Sequence, residues 1–112
     1  MSDESGVVDN EAASRFELEV DGHLAELVYH RSGRRFVLVH TGVPDALEGH
    51  GIGGRLVTAA VDHAVEHGLT VVPLCPFARE WLQHHPDVAS RVNIDWVPTE
   101  RREGPQGTNL TR

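Results

Sequence analysis

Residues 48–56, EGHGIGGRL, set Gly49, Gly51, Gly53 and Gly54 directly ahead of an amphipathic stretch. No other segment constrains the fold as much. A helix N-terminus leaves its first backbone N–H groups unpaired and carries a partial positive charge. Glycine lets the chain coil tightly there, and lets an anion approach the amides with no Cβ in the way. A strand, a glycine-rich turn and a helix in succession therefore make a physical site for a diphosphate. The plain alternative is a turn that needs only positive φ values, and a lone G-x-G does not separate the two.

The elements around the loop follow from periodicity. In Arg15–Val20, RFELEV, Phe16, Leu18 and Val20 alternate with Glu17 and Glu19, the pattern of a half-buried strand. Asp21-Gly22 is a two-residue hairpin signal, and residues 23–29 form the partner strand. That turn pairs Val20 with His23, Leu18 with Ala25 and Phe16 with Leu27, and sets Glu17 opposite Glu26, which is mildly unfavourable. Arg34 or Arg35 on the next strand is positioned to relieve it. A second turn falls at residues 30–33. Residues 35–40, RFVLVH, are almost all apolar and read as a central strand covered on both faces. Thr41, Gly42 and Val43 extend it, and Pro44-Asp45 ends it.

After the glycines, Leu56, Val57, Ala60, Val61, Ala64 and Val65 form one apolar stripe, and Gly68 stops the helix. Residues 69–75, LTVVPLC, read as a buried strand whose ladder breaks at Pro73. Residues 77–85 fit a short helix ending before Pro86, and residues 87–96 close the domain. The fold class is α/β (α+β): a mixed, mostly antiparallel sheet with one right-handed β-α-β crossover that carries the glycine loop. Residues 1–13 and 99–112 lack apolar periodicity and read as disordered tails flanking a single domain at residues 14–98.

Composition removes several function classes. The net charge is −7, every basic side chain is an arginine, and residues 15–98 hold seven arginines against eleven acids. That balance excludes general nucleic-acid binding. No apolar run approaches the roughly 18 residues of a membrane span. The acidic start lacks the features of a secretion signal, and the single cysteine, Cys75, rules out an internal disulfide. A cytoplasmic location is the default expectation. With no lysine, the loop is not a P-loop. The meander before it is not the first β-α unit of a dinucleotide fold.

What remains resembles the GNAT acetyltransferase superfamily: a meander, a central strand, R/Q-x-x-G-x-G/A, then a helix. Here Glu48-Gly49-His50-Gly51-Ile52-Gly53 occupies that motif. By this resemblance the amides of Gly49, His50, Gly51, Ile52, Gly53 and Gly54 hold the diphosphate of acetyl-CoA, with Arg55 near the phosphates. Thr41, Gly42 and Val43 hold the donor arm. Glu48 stands where the superfamily has Gln or Arg, so its side chain is expected to point away. A narrower resemblance covers residues 15–87. The string HTGVP, LEGHGIGGRLV, GLTVVPLCPFAREWLQHHPD is similar to the very small, single-domain GNAT-like proteins. Their pattern is H-T-x-V-P, E/R-G-x-G-I-G, V-x-P-x-C-x-[FY], and a helix ending in H-P-E-Y. Asp87-Val88 departs from the last motif and removes its tyrosine. Larger relatives insert two helices where Asp21-Gly22 joins two strands here. The acceptor side is therefore expected to be open, which suits completion by a second copy in a homodimer.

Acyl transfer to an amine needs a bound donor, a neutral amine, a polarised carbonyl and a proton for the leaving thiolate. The resemblance places Cys75 near the thioester, as proton donor or as acetyl acceptor. An inert, buried cysteine is the bland alternative. His40, in the H-T motif, is the residue type suited to take a proton from an ammonium acceptor; a ring bonded to a neighbouring loop is its alternative. His50 reads as a solvated loop residue. His63 and His67 stand at i, i+4, within possible reach of His84 and His85, but no carboxylate completes a metal motif, so no metal is expected. Phe77, Trp81 and Trp96 read as core aromatics. The resulting expectation is an N-acetyltransferase using acetyl-CoA and an amine acceptor, a small molecule or a protein, with no nucleic acid and no membrane. A non-catalytic acyl-CoA-binding module is the alternative.

Overall fold

The computed structural model describes residues 6–96. The chain runs β1 (Val8–Asn10), β2 (Arg15–Val20), β3 (His23–Ser32), β4 (Arg35–Gly42), α1 (Ile52–His67), β5 (Thr70–Pro73), α2 (Pro76–Gln83), α3 (Pro86–Ala89) and β6 (Asn93–Ile94), with 3-10 turns at Glu11–Ala13 and Asp45–Leu47. The six strands lie in chain order across one sheet. β1 to β4 are antiparallel neighbours; β4, β5 and β6 are parallel.

The β2–β3 hairpin has the register that its turn dictates, with Val20 opposite His23 and Phe16 opposite Leu27. Asp21 and Gly22 both take positive φ, 52° and 81°, the signature of a type I′ turn. Glu17 does face Glu26. The cation between them is Arg15, and neither Arg34 nor Arg35: its Nε lies 2.5 Å from Glu17 and its Nη1 3.0 Å from Glu26. Arg15 shares the outer face of the same hairpin, so it reaches both acids without crossing to another strand. The hydrogen bond from Arg15 is the largest influence holding the Glu17 carboxyl below its ordinary pKa.

Three readings from sequence are corrected. Residues 8–13 are no tail: β1 pairs with β2, and Val7 is buried. Tyr29 Oη donates to Asp9 Oδ1 at 2.6 Å and Asn10 Nδ2 donates to Glu17 at 3.0 Å, so a three-residue strand is fixed by partners far along the chain. The other expected tail, 99–112, lies outside the described residues. β3 runs on to Ser32, opposite Arg35, because a long ladder with β4 outweighs the polar character of residues 30–32. Finally, β4 is covered on one face only. Phe36 and Leu38 are inaccessible, yet Val39 is 45% exposed. Ala78 and Leu82 of α2 join the same cluster as Leu56, Val57, Ala60 and Val61 of α1, so both helices pack on the Phe36 side.

His63 of α1 is half-buried against the aromatic edge of this core. Its ring centroid is 5.0 Å from that of Phe36 and 4.2 Å from that of His67, and its Nδ1 is 3.8 Å from Asp9 Oδ2. Burial, then the neighbouring His67, hold its pKa below the ordinary histidine value; Asp9 and Glu66 oppose the shift, and Arg31 adds to it. The folded chain thus resists a proton that the unfolded chain accepts at about pH 6.5. Stability should be complete above that pH and fall as the pH drops towards the folded pKa. The melting temperature is expected to be lower at pH 5.5 than at pH 7.5, with most of the difference lost in His63→Gln. A profile unchanged by that substitution would contradict the assignment.

Candidate functional site

Two local features open a groove at the C-terminal half of β4. The β3–β4 ladder shifts register between Val28 and Tyr29, which pair with His40 and Leu38, so Val39 is an extra residue. The β4–β5 ladder ends at Leu38 opposite Pro73. There Leu74 N and Cys75 N both donate to Leu38 O, at 3.1 and 2.9 Å. Pro73 has no N–H to continue the pairing. Residues 39–42 of β4 therefore run on without β5, and α2 begins beside them.

The groove is about 550 Å³ and is lined by Thr41, Val43, Leu47, Glu48, Gly49, Gly51, Ile52, Gly53, Gly54, Phe77 and Trp81. Helix α1 starts at Ile52, four residues before Leu56, where the apolar stripe begins. Gly51 is its N-cap, no side chain caps it, and its first turn holds no acid. The first α1 bond caught by the turn is Arg55 N to Gly51 O, 3.1 Å. Among the described residues, no protein acceptor takes the N–H groups of Gly49, His50, Gly51, Ile52, Gly53 or Gly54. Gly49 and Gly51 sit at φ 84° and 73°, and a Cβ on either would meet nothing within 4 Å. This is a bare, electropositive run of amides at the mouth of a groove.

Gly53 and Gly54 do a different job. Both are helical, and a Cβ on Gly53 would stand 2.6 Å from Phe77 Cζ, while one on Gly54 would stand 2.6 Å from Trp81 Nε1. They let α2 close onto α1. Phe77 and Trp81 thereby form the far wall of the groove. Of the three aromatics read as core, Trp81 does pack against it, but Phe77 is 42% and Trp96 38% exposed. The i, i+4 spacing of Phe77 and Trp81 was the available signal for the wall. Glu48 is exposed and is among the residues that line the groove.

The remaining candidates are distributed unevenly. Cys75 is buried and does not line the groove; its Sγ donates to Thr41 Oγ1, which does, at 3.3 Å. His40 is exposed, opposite Val28 on the outer face of the sheet, and is not hydrogen-bonded to Cys75. Gly42 ends β4 between the side chains of His40 and Glu26. His50 is exposed. Arg55 lines an adjoining groove on the flank of α1. The histidines do not assemble a metal site. His84 and His85, just past the end of α2, turn their Nδ1 atoms to Glu80 O and Trp81 O of that helix, and among the described residues no three ligand-type side chains converge.

Known proteins share this architecture. A family model described as GCN5-related N-acetyl-transferase matches residues 15–92. Protein NATD1 of Gallus gallus and of Homo sapiens are each 40% identical over 63 residues, or 55% of this chain, and the match covers 57% and 56% of their own lengths. The match thus spans little more than half of these relatives. The solution structure of a GCN5-like protein from Staphylococcus aureus aligns with a TM-score of 0.64 at 27% identity, over 88% of this chain and 95% of that one. With a bulged central strand, a bare helix N-terminus behind it and a family match over most of the described residues, the chain belongs to the GCN5-related N-acetyltransferase family.

Proposed function

We propose that the chain transfers acetyl from acetyl-CoA to an amine. The observation that carries this reading is the row of unclaimed N–H groups from Gly49 to Gly54, at the end of a groove that leads to Thr41. Those amides and the α1 dipole suit a diphosphate, and the space between residues 39–42 and α2 suits the thioester arm. The amine attacks the thioester carbonyl, a C–N bond forms, the C–S bond breaks, and a thiolate leaves. The ammonium proton passes to His40 or to water, since His40 is exposed beside the end of β4. The thiolate needs a proton in return. Cys75 is sealed from the groove, but its S–H points at Thr41 Oγ1. A hydroxyl that accepts one proton can give up its own, so Thr41 can pass a proton from Cys75 to the leaving sulfur. In this reading Cys75 is an acid acting through Thr41 and carries no acetyl group.

Thiol release with a panel of amines tests turnover. Cys75→Ser and the near-isosteric Thr41→Val should each lower kcat by about 10²-fold, the usual contribution of a positioned acid, while acetyl-CoA still binds. Binding by the wild type with no amine ever acetylated would instead favour an acyl-CoA-binding module. The exposed position of His40, unconnected to Cys75, is the observation on that side. A single added acetyl mass on Cys75 would replace the acid by an acyl-enzyme.

A further inference from the structure

Gly42 is the last residue of β4 and stands directly opposite Glu26 of β3, and its φ is not positive. The backbone there does not require glycine, and glycine within a strand gives up packing and costs entropy. What it supplies is space. A Cβ on Gly42 would stand 3.3 Å from His40 Nε2 and 3.7 Å from Glu26 Oε2. His40 lies two residues back on the same outer face, so the imidazole and the carboxylate face each other across the missing side chain. The two carboxylate oxygens of Glu26 have different surroundings. Oε1 accepts from Arg15 Nη1 at 3.0 Å, which holds the side chain against the hairpin, while Oε2 is turned to Gly42. Arg15 is shared with Glu17, so the three groups keep one net negative charge. A neutral imidazole with its hydrogen on Nδ1 accepts at Nε2. The niche thus offers two hydrogen-bond acceptors and an unbalanced negative charge, on the part of β4 that runs on without β5. A cation that donates at least two hydrogens suits it, which describes a primary alkylammonium.

We propose that Glu26 and His40, across Gly42, hold the acyl acceptor, and that the acceptor class is the primary alkylamine, taken up as its ammonium. The inference rests on the transferase reading above and names its second substrate. The ammonium donates to Glu26 Oε2 and gives one proton to His40 Nε2. The neutral amine then forms the C–N bond as the C–S bond breaks, and His40 returns its proton to water. An alkylamine is protonated at pH 7, with a pKa near that of lysine, about 10.4, whereas aniline is neutral there. The test is thiol release from acetyl-CoA at pH 7 by the full chain, with n-butylamine and with aniline as acceptors. The wild type is expected to acetylate n-butylamine. Glu26→Gln, folded by circular dichroism, should raise KM for n-butylamine about tenfold, as the loss of one charge-assisted hydrogen bond does, and leave KM for aniline unchanged. Glu17→Gln also takes a partner from Arg15 but is not beside Gly42, and should change neither value. Equal effects of the two substitutions, or acetylation of aniline with n-butylamine left untouched, would overturn the niche and leave the transferase reading standing. Thiol release with neither amine would overturn the niche as an acceptor site, and the wider panel of amines would then decide the transferase reading by itself.

Discussion

Gly51→Asp is expected to abolish acetyl-CoA binding without unfolding the chain. Gly51 is the N-cap of α1 at φ 73°, and a Cβ there meets nothing within 4 Å. Aspartate is among the few side chains that tolerate this left-handed conformation. It is also a favoured residue at a helix N-cap, where its charge complements the dipole. The strain and the gain are both of order 1 kcal/mol, so the melting temperature should move little. The new carboxylate would sit among the N–H groups of Ile52, Gly53 and Gly54 and repel a diphosphate. Affinity for acetyl-CoA should fall by more than about 100-fold, since a displaced set of charge-assisted hydrogen bonds and a like-charge contact each exceed 1.4 kcal/mol. Retained affinity in a folded variant would move the phosphate site elsewhere.

Gly54→Ala should destabilise the fold, a sign opposite to ordinary helix behaviour. In an unobstructed helix interior, replacing glycine by alanine stabilises by about 1 kcal/mol. At Gly54 the added methyl would lie 2.6 Å from Trp81 Nε1 and 2.9 Å from Cε2. Trp81 is itself held by its stack on His85, so the indole must leave that stack or α2 must shift. Overpacking of this kind costs about 1–3 kcal/mol. For a domain of this size each kcal/mol lowers the melting temperature by about 4–8 °C. A melting temperature equal to or above that of the wild type would mean that Trp81 moves freely and that the α1–α2 contact is loose.

The β2–β3 hairpin and α1 were legible because their signals are local. Asp21-Gly22 fixes the register of its own strands, and the stripe from Leu56 to Ala64 turns with the helix period, though Val65, read as its last member, is 46% exposed. β1 was not legible. Three residues carry no periodicity, and what holds them is Tyr29, Glu17 and the sheet edge. The open outer face of β4 was not legible either, since an apolar run reads the same whether one face or two are covered; the answer lay in where α2 packs.

The glycine loop shows both cases in one segment. Its place ahead of a helix is written in the sequence, and the amides of Gly49 and Gly51 follow from it. That Gly53 and Gly54 serve packing depends on Phe77 and Trp81, which sequence spacing alone does not bring to them. The partnership of Cys75 with Thr41 is of the same kind: two motifs far apart in the chain meet only because β4 and β5 are parallel neighbours that separate after Leu38.

Everything functional here depends on backbone amides ahead of Arg55 gripping the coenzyme through its paired phosphates. Calorimetric titration of the wild-type chain with acetyl-CoA tests this most directly. Saturable heat at one site per chain, with a raised melting temperature, is the predicted result. No heat and no thermal stabilisation would contradict it.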